Sequence, residues 1–268
     1  MAGARIVRAM VFAAGSVGGL SGAAYGLLTG QSRRARSVIG PPPDLAPNAD
    51  GVYPPPGRPG PELSFAMLGD SLAAGLGAES TGQLPGVLLA AGLADETGRP
   101  VRLTTYAVSG ARTADLPAQV DRALIDPPDL VLVIIGGNDV TSRTRIATAV
   151  GELRAEVTRL RAAGATVVVA TCPDLGVVRS IPQPLRELVS RLSRSLARAQ
   201  RRELDRIGVG SVSLGELVSP EFRIRPDELF SPDCFHPNGL GYEVAAGVLL
   251  PALCAAAGAL AEPVRPAA

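Results

Sequence analysis

Leu130-Val131-Leu132-Val133-Ile134-Ile135-Gly136-Gly137-Asn138-Asp139 opens with six apolar residues in a row, four of them β-branched, and closes on two glycines and a pair of turn-forming side chains. A strand with one wet face alternates apolar and polar residues. This run does not, so it reads as a strand buried on both faces, as a parallel sheet covered by helices requires. Working outward, Leu63 to Leu68, Val101 to Val108, Thr166 to Ala170 and Gly208 to Leu214 read as further strands. Between them Leu84 to Thr97, Thr113 to Leu124, Thr144 to Ala163 and Pro184 to Ile207 carry helical periodicity, and Tyr242 to Leu260 closes the pattern as another helix. Strand and helix in alternation give a three-layer α/β/α sandwich with a five-stranded, mainly parallel sheet. In such sheets, sites gather beyond the carboxyl ends of the strands.

Composition narrows the function. With 268 residues, 46% hydrophobic and 19% charged, the chain has material for one core of ordinary size. Net charge is +1, and all 26 basic residues are arginine. Aromatics make up only 3%, and the arginines are spread along the chain, so the pattern for nucleic-acid binding is missing and no nucleic-acid partner is expected. Cys172, Cys234 and Cys254 have no metal-ligand spacing, and a single histidine leaves few ligands for zinc, so neither a metal nor a cofactor is expected. One disulfide with a spare thiol and three reduced cysteines both remain open. Arg191, Arg194, Arg198, Arg201 and Arg202 recur at helical spacing opposite Leu188, Leu192 and Leu196. A solvated helix face is the plain reading, and contact with anionic lipid is the other.

The amino-terminal 61 residues are of a different kind. Arg5 and Arg8 precede about 22 uncharged residues, Ala9 to Gly30, and no acid appears before Asp44. Residues 1–36 therefore read as an export signal or a membrane anchor, which brings possible membrane contact and an extracytoplasmic location, anchored or secreted. Residues 37–61 hold nine prolines and read as an extended linker that would hold the following domain off a membrane. The domain itself is expected over residues 62–262.

Three strand ends carry candidate chemistry. Gly69-Asp70-Ser71-Leu72 follows the first strand, Gly110 lies after the second, and Asn138 follows Gly136-Gly137 after the third. The only histidine, His236, stands in Asp233-Cys234-Phe235-His236, about 165 residues after Ser71. A hydroxyl attacks a carbonyl only when a base takes its proton, and an acceptor must fix that base in one tautomer. With a single histidine the base is His236, and Asp233, three residues away in a bend or a helical turn, can reach its second ring nitrogen. The Ser71 and Gly110 N–H groups and the Asn138 amide would supply the fixed donors that an oxyanion needs.

With those four segments in order, the chain resembles the SGNH or GDSL hydrolase superfamily over roughly Leu63 to Tyr242. No GxSxG elbow occurs, which argues against the α/β-hydrolase fold. The resemblance implies a flavodoxin-like sandwich and no cofactor. It implies Ser71 as nucleophile, His236 as general base and acid, Asp233 as orienting acceptor, and Ser71, Gly110 and Asn138 as the oxyanion hole. A serine carboxylic ester hydrolase working through an acyl-enzyme on small-molecule or polymer-linked esters is the leading expectation. The alternative is a catalytically silent carbohydrate- or lipid-binding module on the same fold. Cys234, inside the Asp-x-x-His segment, raises the question of redox sensitivity.

Overall fold

The computed structural model describes residues 25–35, 37–39, 47–57 and 60–261. In chain order the strands are β1 (Gly51–Tyr53), β2 (Leu63–Gly69), β3 (Val101–Thr105), β4 (Leu130–Ile134), β5 (Thr166–Ala170) and β6 (Gly210–Val212). Residues 25–35 form α1. The other helices are α2 (Ser71–Ala74), α3 (Pro85–Thr97), α4 (Leu116–Ala123), α5 (Gly137–Thr141), α6 (Ile146–Ala162), α7 (Leu185–Arg206), α8 (Leu214–Ile224), α9 (Pro226–Leu229) and α10 (Gly239–Ala261).

One sheet runs in the order β1-β3-β2-β4-β5-β6, with β1 antiparallel and the rest parallel. Successive side chains of a strand point to opposite faces, and the two cores separate accordingly. Phe65, Met67, Leu130, Leu132 and Ile134 pack with Leu89 and Leu93 of α3 and Leu249 and Leu253 of α10. Ala66, Leu68, Val131, Val133 and Ile135 pack on the other face with Val120 of α4, Leu153 and Val157 of α6 and Leu204 of α7. This double burial explains the unbroken apolar run from Leu130. It also explains α10, which is apolar enough and long enough to cross a membrane by composition but places Leu249, Leu253 and Ala257 in the core.

The sheet has six strands where the sequence pattern gave five. The extra one, β1, lies inside the proline-rich segment and pairs Gly51, Val52 and Tyr53 with Leu103, Arg102 and Val101. Three residues are too few to show a period, and flanking prolines disguise them. Asp50 adds a side-chain acceptor for the Thr105 N–H at 3.0 Å, and Tyr53 packs partly against the core. The last expected strand is shorter than Gly208 to Leu214, because Leu214 already opens α8. Most of the expected leader, residues 1–24, lies outside the described residues. Its end, α1, touches the domain: the Gln31 amide donates to the Gln183 carbonyl and accepts from the Leu185 N–H, and Ala35 is buried.

Candidate active site

The site is built first by a glycine. Gly69 ends β2 with φ of +135°, and a Cβ there would lie 1.9 Å from the Ile134 carbonyl oxygen, so no side chain fits. The chain can therefore turn sharply against β4 and lift Ser71 above the sheet. Asp70 caps the short α2 by accepting from the Leu72 N–H at 3.0 Å. Burial pushes the Asp70 carboxyl up to about 7, and the nearby charge of Asp139 adds to the effect against two backbone N–H bonds.

His236 arrives from the loop between α9 and α10. Asp233 ties this loop into a knot: its Oδ1 accepts from Ser231 Oγ at 2.7 Å, the Phe235 N–H at 2.8 Å and the His236 N–H at 2.9 Å. Its Oδ2 faces His236 Nδ1 at 2.6 Å, and His236 Nε2 stands 3.0 Å from Ser71 Oγ. The three-residue spacing works through a bend, not a helical turn. Burial alone would raise the Asp233 carboxyl. The bonds from His236, Ser231 and the backbone outweigh that and hold it well below the usual carboxylate range. Asp233 therefore stays an anion opposite the ring, where it can accept from Nδ1, and Nε2 is the ring nitrogen that faces Ser71.

Of the remaining candidates, Asn138 and Ser71 line one cavity. The Asn138 amide donates to the Ala111 carbonyl at 3.0 Å, tying the loop after β3 to the start of α5. Gly110 sits next to that anchor with φ of +81°, exposed and outside the cavity wall. The Ser71 and Gly110 N–H groups have no acceptor among the described residues. All three cysteines are free thiols, and Cys234 is exposed with φ of +55°.

A family profile, that of the GDSL-like lipases and acylhydrolases, matches residues 67–244. The chain belongs to the GDSL-like lipase/acylhydrolase family. It is 42% identical over 240 residues to the GDSL-like esterase Rv1075c of Mycobacterium tuberculosis, a match that covers 86% of this chain and 76% of that one. This GDSL acylhydrolase also shares its fold with TesA, at TM-score 0.59 and 22% identity over 72% of this chain and 99% of that chain. Axe2, an acetylxylan esterase from Geobacillus stearothermophilus, superposes at TM-score 0.55 and 17% identity, covering 71% and 94% of the two chains. The family and the curated relative make the protein an esterase, and so a hydrolase with an ester substrate.

Within this acylhydrolase the cavity beside Ser71 is small, about 90 Å³, and walled by Leu175, Val178, Phe222, Phe230 and Phe235. Several residues that brace the site are polar side chains on helix faces turned to the core. Gln119 of α4 accepts from the Gly69 N–H and donates to the Gly69 carbonyl, both at 2.8 Å. Gln200 of α7 accepts from the Cys172 N–H at 2.8 Å and donates to the Ile135 carbonyl at 3.2 Å. Thr113 donates through both N–H and hydroxyl to Asp139. A glutamine or threonine where the helical pattern demands an apolar residue was the only available signal for these braces.

Proposed function

We propose that this esterase hydrolyses carboxylic esters of short acyl groups through an acyl-enzyme on Ser71. The observation that carries the reading is the unbroken line from Asp233 Oδ2 through the His236 ring to Ser71 Oγ, at 2.6 and 3.0 Å. His236 Nε2 takes the Ser71 proton as Oγ bonds to the ester carbonyl carbon, and the carbonyl electron pair moves onto oxygen. The Ser71 and Gly110 N–H groups and the free hydrogen of the Asn138 amide donate to that oxyanion. The tetrahedral centre collapses, and the alcohol leaves with the proton from His236. Water then loses a proton to His236 and attacks the acyl carbon, which returns Ser71 and releases the acid. The small apolar cavity supports an acyl chain of a few carbons, and its wall keeps water from competing during acylation.

Fluorophosphonate labelling tests the nucleophile. Wild-type protein should label rapidly at Ser71, whereas Ser71→Ala and His236→Ala should lose labelling and about 10³-fold or more of ester turnover with the fold intact. Slow labelling of the wild type, or normal rates in either variant, refutes the mechanism. On location, the uncharged run Ala9 to Gly30 after two arginines supports export, with the catalytic domain outside the cytoplasmic membrane. Protease added to intact spheroplasts should remove a carboxyl-terminal tag, and a fully protected tag refutes export.

A further inference from the structure

Away from Ser71, helices α7 and α8 enclose a second cleft of about 460 Å³. Arg194, Arg198, Arg201 and Arg202 line it from α7 and Arg223 from α8, against Asp174, Asp205 and Glu216, so it carries a net charge of about +2. Two arginines elsewhere on α7, Arg191 and Arg206, are neutralised along the helix: Arg191 meets Glu187 at 2.8 Å and Arg206 meets Glu203 at 2.7 Å. The cleft arginines of α7 are not. Arg198 and Arg202 have no acidic partner among the described residues, while Arg201 and Arg194 reach theirs only at 4.0 and 3.9 Å. Arg223 alone is well paired, with buried Asp174 at 2.8 Å. A separate observation lies in the wall: Ser219 is 3% exposed, lines the cleft, and has a hydroxyl without a partner among the described residues. A buried hydroxyl left unpaired costs about 1–3 kcal/mol; the Ser219 oxygen is shielded from the cleft, so a bound acceptor would remove that deficit only as the wall side chains shift.

We propose that this cleft binds a phosphate-bearing ligand. Guanidinium forks match the oxygens of a phosphate two at a time, and a free phosphate or monoester, with three or four oxygens and up to two charges, can accept from several arginines at once, which a carboxylate with two oxygens cannot. The phosphate can be that of a free phosphate compound or of a lipid headgroup; the headgroup diester keeps two free oxygens and one charge, which still match a guanidinium fork. Asp174 and Ser219 also line the Ser71 cavity, so the two sites share a wall, but the binding itself does not depend on the esterase mechanism.

The test uses full-length protein, as wild type, as the Arg198→Ala/Arg202→Ala double variant, and as an Arg191→Ala/Arg206→Ala control that removes equal charge outside the cleft. Titration with inorganic phosphate at constant ionic strength, followed by calorimetry, and flotation with phosphatidylglycerol against phosphatidylcholine vesicles report the two sources. In at least one arm the cleft variant should bind at least tenfold more weakly than wild type while the control stays within twofold. Glu216→Gln, which removes a competing acid, should tighten binding. A response to phosphate identifies a free ligand, and an effect confined to phosphatidylglycerol identifies a headgroup. Equal losses in cleft and control variants, or no difference from wild type in either arm, overturn the proposal.

Discussion

Replacing Gln119 by methionine would test whether Ser71, the proposed nucleophile, is held in place through Gly69 by a side chain 50 residues further along the chain from that glycine. Methionine nearly conserves volume, so the cavity contribution is small and the change removes hydrogen bonds alone. The Gly69 carbonyl keeps a partner, since it also accepts from the Val108 N–H at 3.0 Å. The Gly69 N–H does not, because Gln119 Oε1 is its acceptor at 2.8 Å in a buried setting. An orphaned buried donor costs about 1–3 kcal/mol, and the lost bond to the carbonyl adds about 1 kcal/mol, for a total of about 2–4 kcal/mol. For a domain of this size that corresponds to about 4–16 °C in Tm. Because Gly69 sets the direction of Ser71, a shift of a fraction of an ångström should also lower kcat by about tenfold to 10²-fold. Urea unfolding gives the first quantity and single-turnover ester hydrolysis the second. Stability within about 0.5 kcal/mol of wild type together with unchanged kcat would refute the idea that Gln119 braces the site.

Three further outcomes follow from the same structure. Asn138→Ala should lower kcat by about 10² to 10³ with little change in KM, because an oxyanion donor, the role proposed for its amide, bonds most strongly to charge present only in the transition state; a change in KM alone would place Asn138 in ground-state binding. Asp70 is raised from 3.8 to about 7, so between those values the folded protein holds a proton that the unfolded chain has released. Its contribution is therefore complete below about pH 4 and lost as pH rises through about 7, by at most about 4 kcal/mol, and Asp70→Asn should flatten that decline in chemical-unfolding measurements from pH 4 to 8. Asp233, held low, acts in the opposite sense and loses its contribution as pH falls below the ordinary carboxylate range. Deleting residues 1–61 removes β1 and the Asp50 bond to Thr105, so it should lower Tm by several degrees relative to a deletion ending at residue 46; equal Tm values would show that β1 adds nothing.

Much of this was legible in the sequence because a few residues had little freedom. Leu130 to Ile135 could be nothing but a strand with two buried faces, and a single histidine left one candidate for the base, which the structure places 3.0 Å from Ser71 Oγ and 2.6 Å from Asp233. The expected ends of α3, α6 and α7 fall within two residues of those observed. What stayed hidden depends on partners distant in the chain. Gln119 and Gln200 look like ordinary polar substitutions until the strand ends that they clamp are known. Thr113 becomes a brace only when Asp139 is brought to it. α8 carries Pro220 in its interior and so lacked a clean helical signature. Cysteine pairing, open in the sequence, resolves into three free thiols, one buried, one partly buried and one exposed.

The outermost strands β1 and β6 are each only three residues long. Beyond β1 the chain runs into Pro54-Pro55-Pro56, which has no amide hydrogens to offer. A second molecule approaching either margin finds no row of free backbone donors and acceptors long enough to extend the ladder. Polymerisation by edge-to-edge strand addition is thereby blocked, and crowded copies of this domain should stay dispersed without relying on strong mutual charge repulsion, which a net charge of +1 could not provide.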